Sequence, residues 1–74
     1  EAEIKVFQGE ESDILIIINH GDNKKIHVES RDKIRDIKKI GGDAELLAWR
    51  DNIITIEAPK KSAIIFLAWR SKGS

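Results

Sequence analysis

No cysteine, methionine or tyrosine occurs among these 74 residues, and there is a single proline. Without cysteine there is no disulfide framework, no thiolate metal site and no thiol nucleophile, so nothing covalent compensates for the small size. Charge of one sign is lacking as well: thirteen basic residues balance thirteen acidic ones. A balanced chain has no long-range field to draw it onto nucleic acid or an anionic membrane, whereas domains built around phosphate contacts are visibly basic. The longest uninterrupted apolar run, residues 63–69, is seven residues long, against the roughly 20 that a membrane-spanning helix needs. The opening Glu-Ala-Glu carries no basic stretch of the kind that begins a signal peptide. These absences predict one soluble domain over residues 1–74, cytoplasmic, ending in a polar tail at 71–74.

What is present is isoleucine. It occurs fourteen times against four leucines, in a chain that is 41% apolar. A β-branched side chain has its χ1 already restricted and packs well on a pleated surface, so this preference predicts strands. Ile4 and Val6 alternate with Glu3 and Lys5, as in a half-buried strand. An aliphatic run at 14–18 is followed by His20-Gly21-Asp22-Asn23, residues that tolerate turn conformations, and then by the alternation Lys25-Ile26-His27-Val28-Glu29. This pattern predicts a hairpin in which Asn19 pairs with Lys24, Ile17 with Ile26 and Leu15 with Val28. Ile14, Ile16 and Ile18 then occupy the opposite face.

The middle of the chain predicts a helix. Ser30 suits an N-cap, Asp32 lies in the first turn, and Ile34, Ile37 and Ile40 recur every three residues. Asp32–Arg35 and Asp36–Lys39 are at ion-pair spacing, and Gly41 suits a left-handed C-terminal cap. Residues 43–50 satisfy helix propensity, but cross-strand pairing favours a strand: with Asp51-Asn52 as a tight turn, Trp49 faces Ile54, Leu47 faces Ile56 and Ala48 faces Thr55. Pro59 ends that second strand. Residues 63–70 then read as a last strand, apolar on both faces and therefore central, with a helix capped by Ser62 as the alternative. The expected fold is α+β. It has six strands in the order strand-strand-strand-helix-strand-strand-strand, a mainly antiparallel sheet open or closed into a small barrel, and one short helix packed on it.

The polar residues form no recognisable catalytic or metal-binding constellation. His20 falls in a turn and His27 beside Glu29, with no third ligand spaced nearby, so both read as surface histidines. Gly41-Gly42-Asp43 follows the expected helix, where glycine ends it, rather than preceding a helix as a phosphate loop would. The lysines interleave with Glu29, Asp32, Asp36 and Asp43, which predicts a mixed solvated surface. No catalytic residue, cofactor or metal is therefore expected. The tetrapeptide Leu-Ala-Trp-Arg occurs at 47–50 and again at 67–70, which predicts that Trp49 and Trp69 share one layer. Tryptophan beside arginine suits core packing, a protein contact, or base stacking in an oligonucleotide-binding barrel. Trp49, Arg50, Phe66, Trp69 and Arg70 are accordingly the candidate interface. The apolar residues left on the second sheet face predict either coverage within the monomer or a protein partner, including a second copy; no partner is required, and nucleic acid is the weakest reading.

In style the whole chain resembles a de novo designed small α/β protein. Isoleucine fills strand positions, Lys, Glu and Asp fill exposed ones, and short turns such as Gly21-Asp22 and Asp51-Asn52 separate the segments. The resemblance implies a non-enzymatic scaffold whose property is its fold, with no native compartment. The chain departs from that style at His20, His27 and the apolar runs at 14–18 and 63–69, since idealised monomers avoid apolar residues on solvent faces.

Overall fold

Isoleucine alternation carries the chain into strands throughout. The computed structural model describes residues 2–71 and contains β1 (Ala2–Gln8), β2 (Ser12–Asn19), β3 (Lys24–Glu29), β4 (Ile34–Gly42), β5 (Glu45–Arg50), β6 (Ile53–Ala58) and β7 (Ala63–Arg70). Residues 72–74, with most of the expected polar tail, lie outside the described residues. The strands form two antiparallel sheets, one ordered β1-β2-β7-β4 and the other β3-β6-β5. The core between them is built from Leu15, Ile17, Ile26, Val28, Ile34, Ile37, Ile54, Ile56, Ile64 and Phe66 with three alanines. Both sheets are open, with two edges each, so the expected barrel is replaced by a sandwich.

The expected helix is also replaced, and the α+β class with it. Residues 34–42 are β4, paired antiparallel with β7. The misleading signal has an identifiable cause. β4 shifts register between Ile34 and Asp36 and again between Lys39 and Gly41. The first bulge stretches the i,i+2 spacing after Ile34 to i,i+3, the spacing that imitates a helical face, and Ile40 is itself the extra residue at the second. Ile34 and Ile37 are buried, whereas Ile40 is 54% exposed. Ser30 caps no helix: its N–H donates to the Asn52 carbonyl at 2.7 Å, and the Asn52 amide returns a bond to the Ser30 carbonyl at 2.9 Å. Lys39 pairs with Glu45 at 3.7 Å rather than with Asp36.

The β2–β3 hairpin is likewise absent. β2 pairs with β1 and β7, and β3 pairs with β6 in the other sheet. Yet Leu15, Ile17, Ile26 and Val28 are all buried together, because side chains that share a hairpin face can meet equally well across two stacked sheets. Asn19 makes the corner. It is 1% exposed, its amide nitrogen lies 2.8, 3.1 and 2.9 Å from the carbonyls of Asp22, Ala58 and Pro59, and its side-chain oxygen accepts from the Gly21 N–H at 3.0 Å. Leucine at this site fills similar volume but leaves buried carbonyls and an N–H without partners, which costs about 2 kcal/mol or more. Urea denaturation of Asn19→Leu should therefore show a clearly lowered midpoint; an unchanged one would mean that the corner is held by something else.

The β5–β6 hairpin forms around Asp51, which adopts a positive φ of 57°. Trp49 stands opposite Ile54 and Ala48 opposite Thr55 as expected, but a register shift between Leu46 and Ala48 extrudes Leu47 and puts Leu46 opposite Ile56. β7 is the central strand of its sheet, flanked by β2 and β4.

Candidate functional site

Directly opposed residues on neighbouring strands share a face, so the register of the four-stranded sheet determines which side chains cover the core and which point away. The inward set on β2 and β7 is Leu15, Ile17, Ile64, Phe66 and Ala68, all buried. The outward set runs in rows. Phe7, Ile14, Leu67 and Lys38 form one, Lys5, Ile16, Ile65 and Gly41 the next, and Glu3, Ile18 and Ala63 a third. At the end of the sheet a row of Ser12, Trp69 and Asp36 closes the pattern. The centre is thus aliphatic and the two long margins carry charge, Glu3 and Lys5 on β1, Asp36 and Lys38 on β4. From strand and pleat spacing the apolar centre measures roughly 14 by 20 Å.

No described element packs on this face: the three-stranded sheet covers the other side, and no helix is present among the described residues. Phe7 is 56% and Ile14 39% exposed, while Ile16, Ile18, Ile65, Leu67 and Trp69 are half-buried by one another. The outer face of the three-stranded sheet is chemically different. It pairs Lys25 with Glu57 and His27 with Thr55, the latter through a 3.2 Å contact from Nδ1 to Oγ1. One side of the sandwich is wet and the other aliphatic.

The residues singled out from the Leu-Ala-Trp-Arg repeat do not converge. Trp49 and Arg50 are exposed on β5, at the edge of the three-stranded sheet, and Trp49 shares the inward side with Ile54. Trp69 lies on the outer face of the other sheet, so the two tryptophans share no layer. Phe66 is fully buried and presents no surface. Arg70 is committed within the molecule: its guanidinium donates to Asp13 and to the carbonyls of Gly9 and Glu10, which ties the β1–β2 loop to the end of β7. Phe7, Ile65 and Leu67 were missing from the sequence-derived surface. The alternation of Glu3, Lys5 and Phe7 on β1 was a usable signal for Phe7, but β7 is apolar on both faces and only its partners' register tells them apart.

The histidines sit apart from each other. His20 Nε2 lies 3.1 Å from the Glu3 carboxylate, and this hydrogen bond, followed by the charge of Lys5, holds the Glu3 carboxyl below the usual glutamate value. Among the described residues no group of three or more His, Asp or Glu side chains is arranged to hold a metal. A cleft of about 370 Å³ lies between β1 and β3, with Ile4, Val6, Leu15 and Val28 on its apolar side. Among the described residues no helix is long and apolar enough to cross a membrane. Compared with known proteins, the chain matches no family model, no curated protein sequence and no solved structure.

Proposed function

We propose that this domain is a non-enzymatic protein-binding module whose docking surface is the outer face of the four-stranded sheet. One observation carries the reading: two strands of the same molecule, β2 and β7, put Ile14, Ile16, Ile18, Ile65 and Leu67 side by side on the face turned away from the core. The largest apolar patch on a monomer is often its functional surface. Its arrangement, an aliphatic centre with charged margins of both signs, is the anatomy of a protein–protein contact. Ile14, Ile16, Ile65 and Leu67 line neither the cleft between β1 and β3 nor the one beside Asn19 and Ser62, whereas a small ligand is held in a concave site.

The competing reading is a scaffold with no partner, as the resemblance to designed proteins implies. The two differ in what the face does when made polar. Ile14→Lys combined with Leu67→Lys should leave the fold intact, costing no more than about 1 kcal/mol per site through lost β propensity, while binding of an apolar fluorescent dye falls severalfold. Dye binding equally weak in the unmodified protein would favour the scaffold. Unfolding of the double variant would instead assign the face a structural role.

A further inference from the structure

The sandwich has four strand edges, and three of them carry features that discourage pairing with another chain. β4 and β5 break register at bulges, which twist an edge away from an incoming strand. β3 is six residues long and alternates exposed Lys25, His27 and Glu29 with its core residues. β1 also alternates charges, Glu3 and Lys5, with Ile4 and Val6, but it is longer than β3 and carries no bulge. Its seven residues pair with β2 in unbroken register, contain no proline or glycine, and are exposed throughout. Ile4 and Val6 are 45% and 49% exposed although they stand opposite the buried Ile17 and Leu15. A long, regular, apolar edge of this kind is a template for another strand.

The charges on β1 say which strand. If two copies pair β1 antiparallel about a twofold axis with inward faces kept together, the axis passes through one residue pair, and three central registers compare directly. Centred on Lys5, the pairing sets Lys5 against the partner's Lys5. Centred on Val6, it sets Lys5 against the partner's Phe7 and Ile4 against the partner's Gln8. Centred on Ile4, it sets Glu3 against the partner's Lys5 on both sides of the axis, Ile4 against the partner's Ile4, and Ala2 against the partner's Val6. We propose that this chain dimerises through β1 in the register centred on Ile4, joining two four-stranded sheets into one. Opposite charges placed directly across a strand pair stabilise it and like charges oppose it. The inference rests on the edge and its charges and not on the function proposed for the outer face, although the dimer makes the two outer faces continuous.

Charge reversal tests the register. Sedimentation equilibrium from micromolar to millimolar protein should show a reversible dimer that weakens as salt screens the exposed pairs. Glu3→Lys and Lys5→Glu should each weaken it about tenfold or more, because one substitution turns two attractive pairs into two repulsive ones. The double variant Glu3→Lys/Lys5→Glu should restore it. All four positions of charge are exposed, and circular dichroism confirms that each variant is folded before it is compared. A monomer throughout the concentration range overturns the proposal. So does a dimer indifferent to these charges, or one that the double reversal fails to rescue; Ile14→Lys/Leu67→Lys then tells whether such a dimer uses the outer face instead.

Discussion

Replacing Phe66 by alanine is expected to remove a large share of the stability of the fold. The phenyl ring is the largest fully buried side chain among the described residues, at the middle of the inner strand β7, opposite Leu15 on one side and Lys39 on the other. Truncating a buried phenylalanine costs about 3–5 kcal/mol, through the lost transfer free energy and the cavity left behind. A chain of 74 residues has a total stability of only about 4–11 kcal/mol. The loss therefore takes about a quarter of the stability or more, and no disulfide is present to limit the damage. Far-UV circular dichroism and urea titration should show a predominantly unfolded chain or a midpoint lowered by a large fraction. Retention of a near-native midpoint would mean that the core is centred elsewhere than between β6 and β7. Phe66→Leu, which keeps most of the volume, should recover the greater part of the loss.

A second large effect is expected at Gly42. Its φ is +103°, and a Cβ built on it would come within 2.2 Å of the Ala63 carbonyl oxygen and 2.7 Å of the Ile64 Cα. Both are backbone atoms of the central strand and cannot rotate away. The close approach has a purpose, since at this point the chain leaves the four-stranded sheet and folds back: the N–H groups of Asp43 and Ala44 both donate to the Ala63 carbonyl, at 2.9 and 3.0 Å, and the Asp43 carboxylate accepts from the Ala63 N–H at 2.9 Å. Gly42→Ala must either force an L residue into a strained conformation, at about 1–3 kcal/mol, or separate β4 from β7 and lose these bonds at a similar cost. Whichever route is taken, a loss of about 1–3 kcal/mol is expected. Gly41→Ala is the matched control, because a Cβ there meets nothing within 4 Å. Equal thermal midpoints for the two variants would contradict the placement of Gly42 against β7.

Gly42 also illustrates how far the residues alone could lead. A left-handed backbone was expected at Gly41, as the end of a helix, whereas the positive φ is at Gly42. Its cause is contact with a strand twenty residues later in the chain, which no local pattern encodes. β4 failed in the same way. Three isoleucines at a spacing of three are consistent with a helix of period 3.6 and with a strand carrying bulges, and the choice depends on whether β7 is there to pair with. Isoleucine's own preference for the pleat favoured the strand, and the spacing and apparent caps outweighed it. The β5–β6 hairpin was recovered because its turn is short and its partner adjacent, so register follows from local chemistry, up to the bulge at Leu47.

The candidate site was half visible. That Ile14, Ile16 and Ile18 form a face separate from Leu15 and Ile17 follows from strict alternation and needs no structure. That Ile65 and Leu67 join them, while Ile64 and Phe66 do not, depends on the β2–β7 register between segments about fifty residues apart. The two copies of Leu-Ala-Trp-Arg meet different neighbours because they lie on different sheets, Trp69 on the outer face of one and Trp49 on an edge strand of the other.

Composition and alternation by themselves determined that this chain has no covalent staples, favours strands, and divides most of its apolar residues into two sets by parity. Tertiary structure alone decided which set lies inside, that the corner at Asn19 sends β3 into a second sheet, and that residues 34–42 join β7 as a strand. The physical reason is that side-chain alternation is a property of each strand separately, whereas pairing and stacking are free-energy differences between distant segments that become defined only when those segments meet.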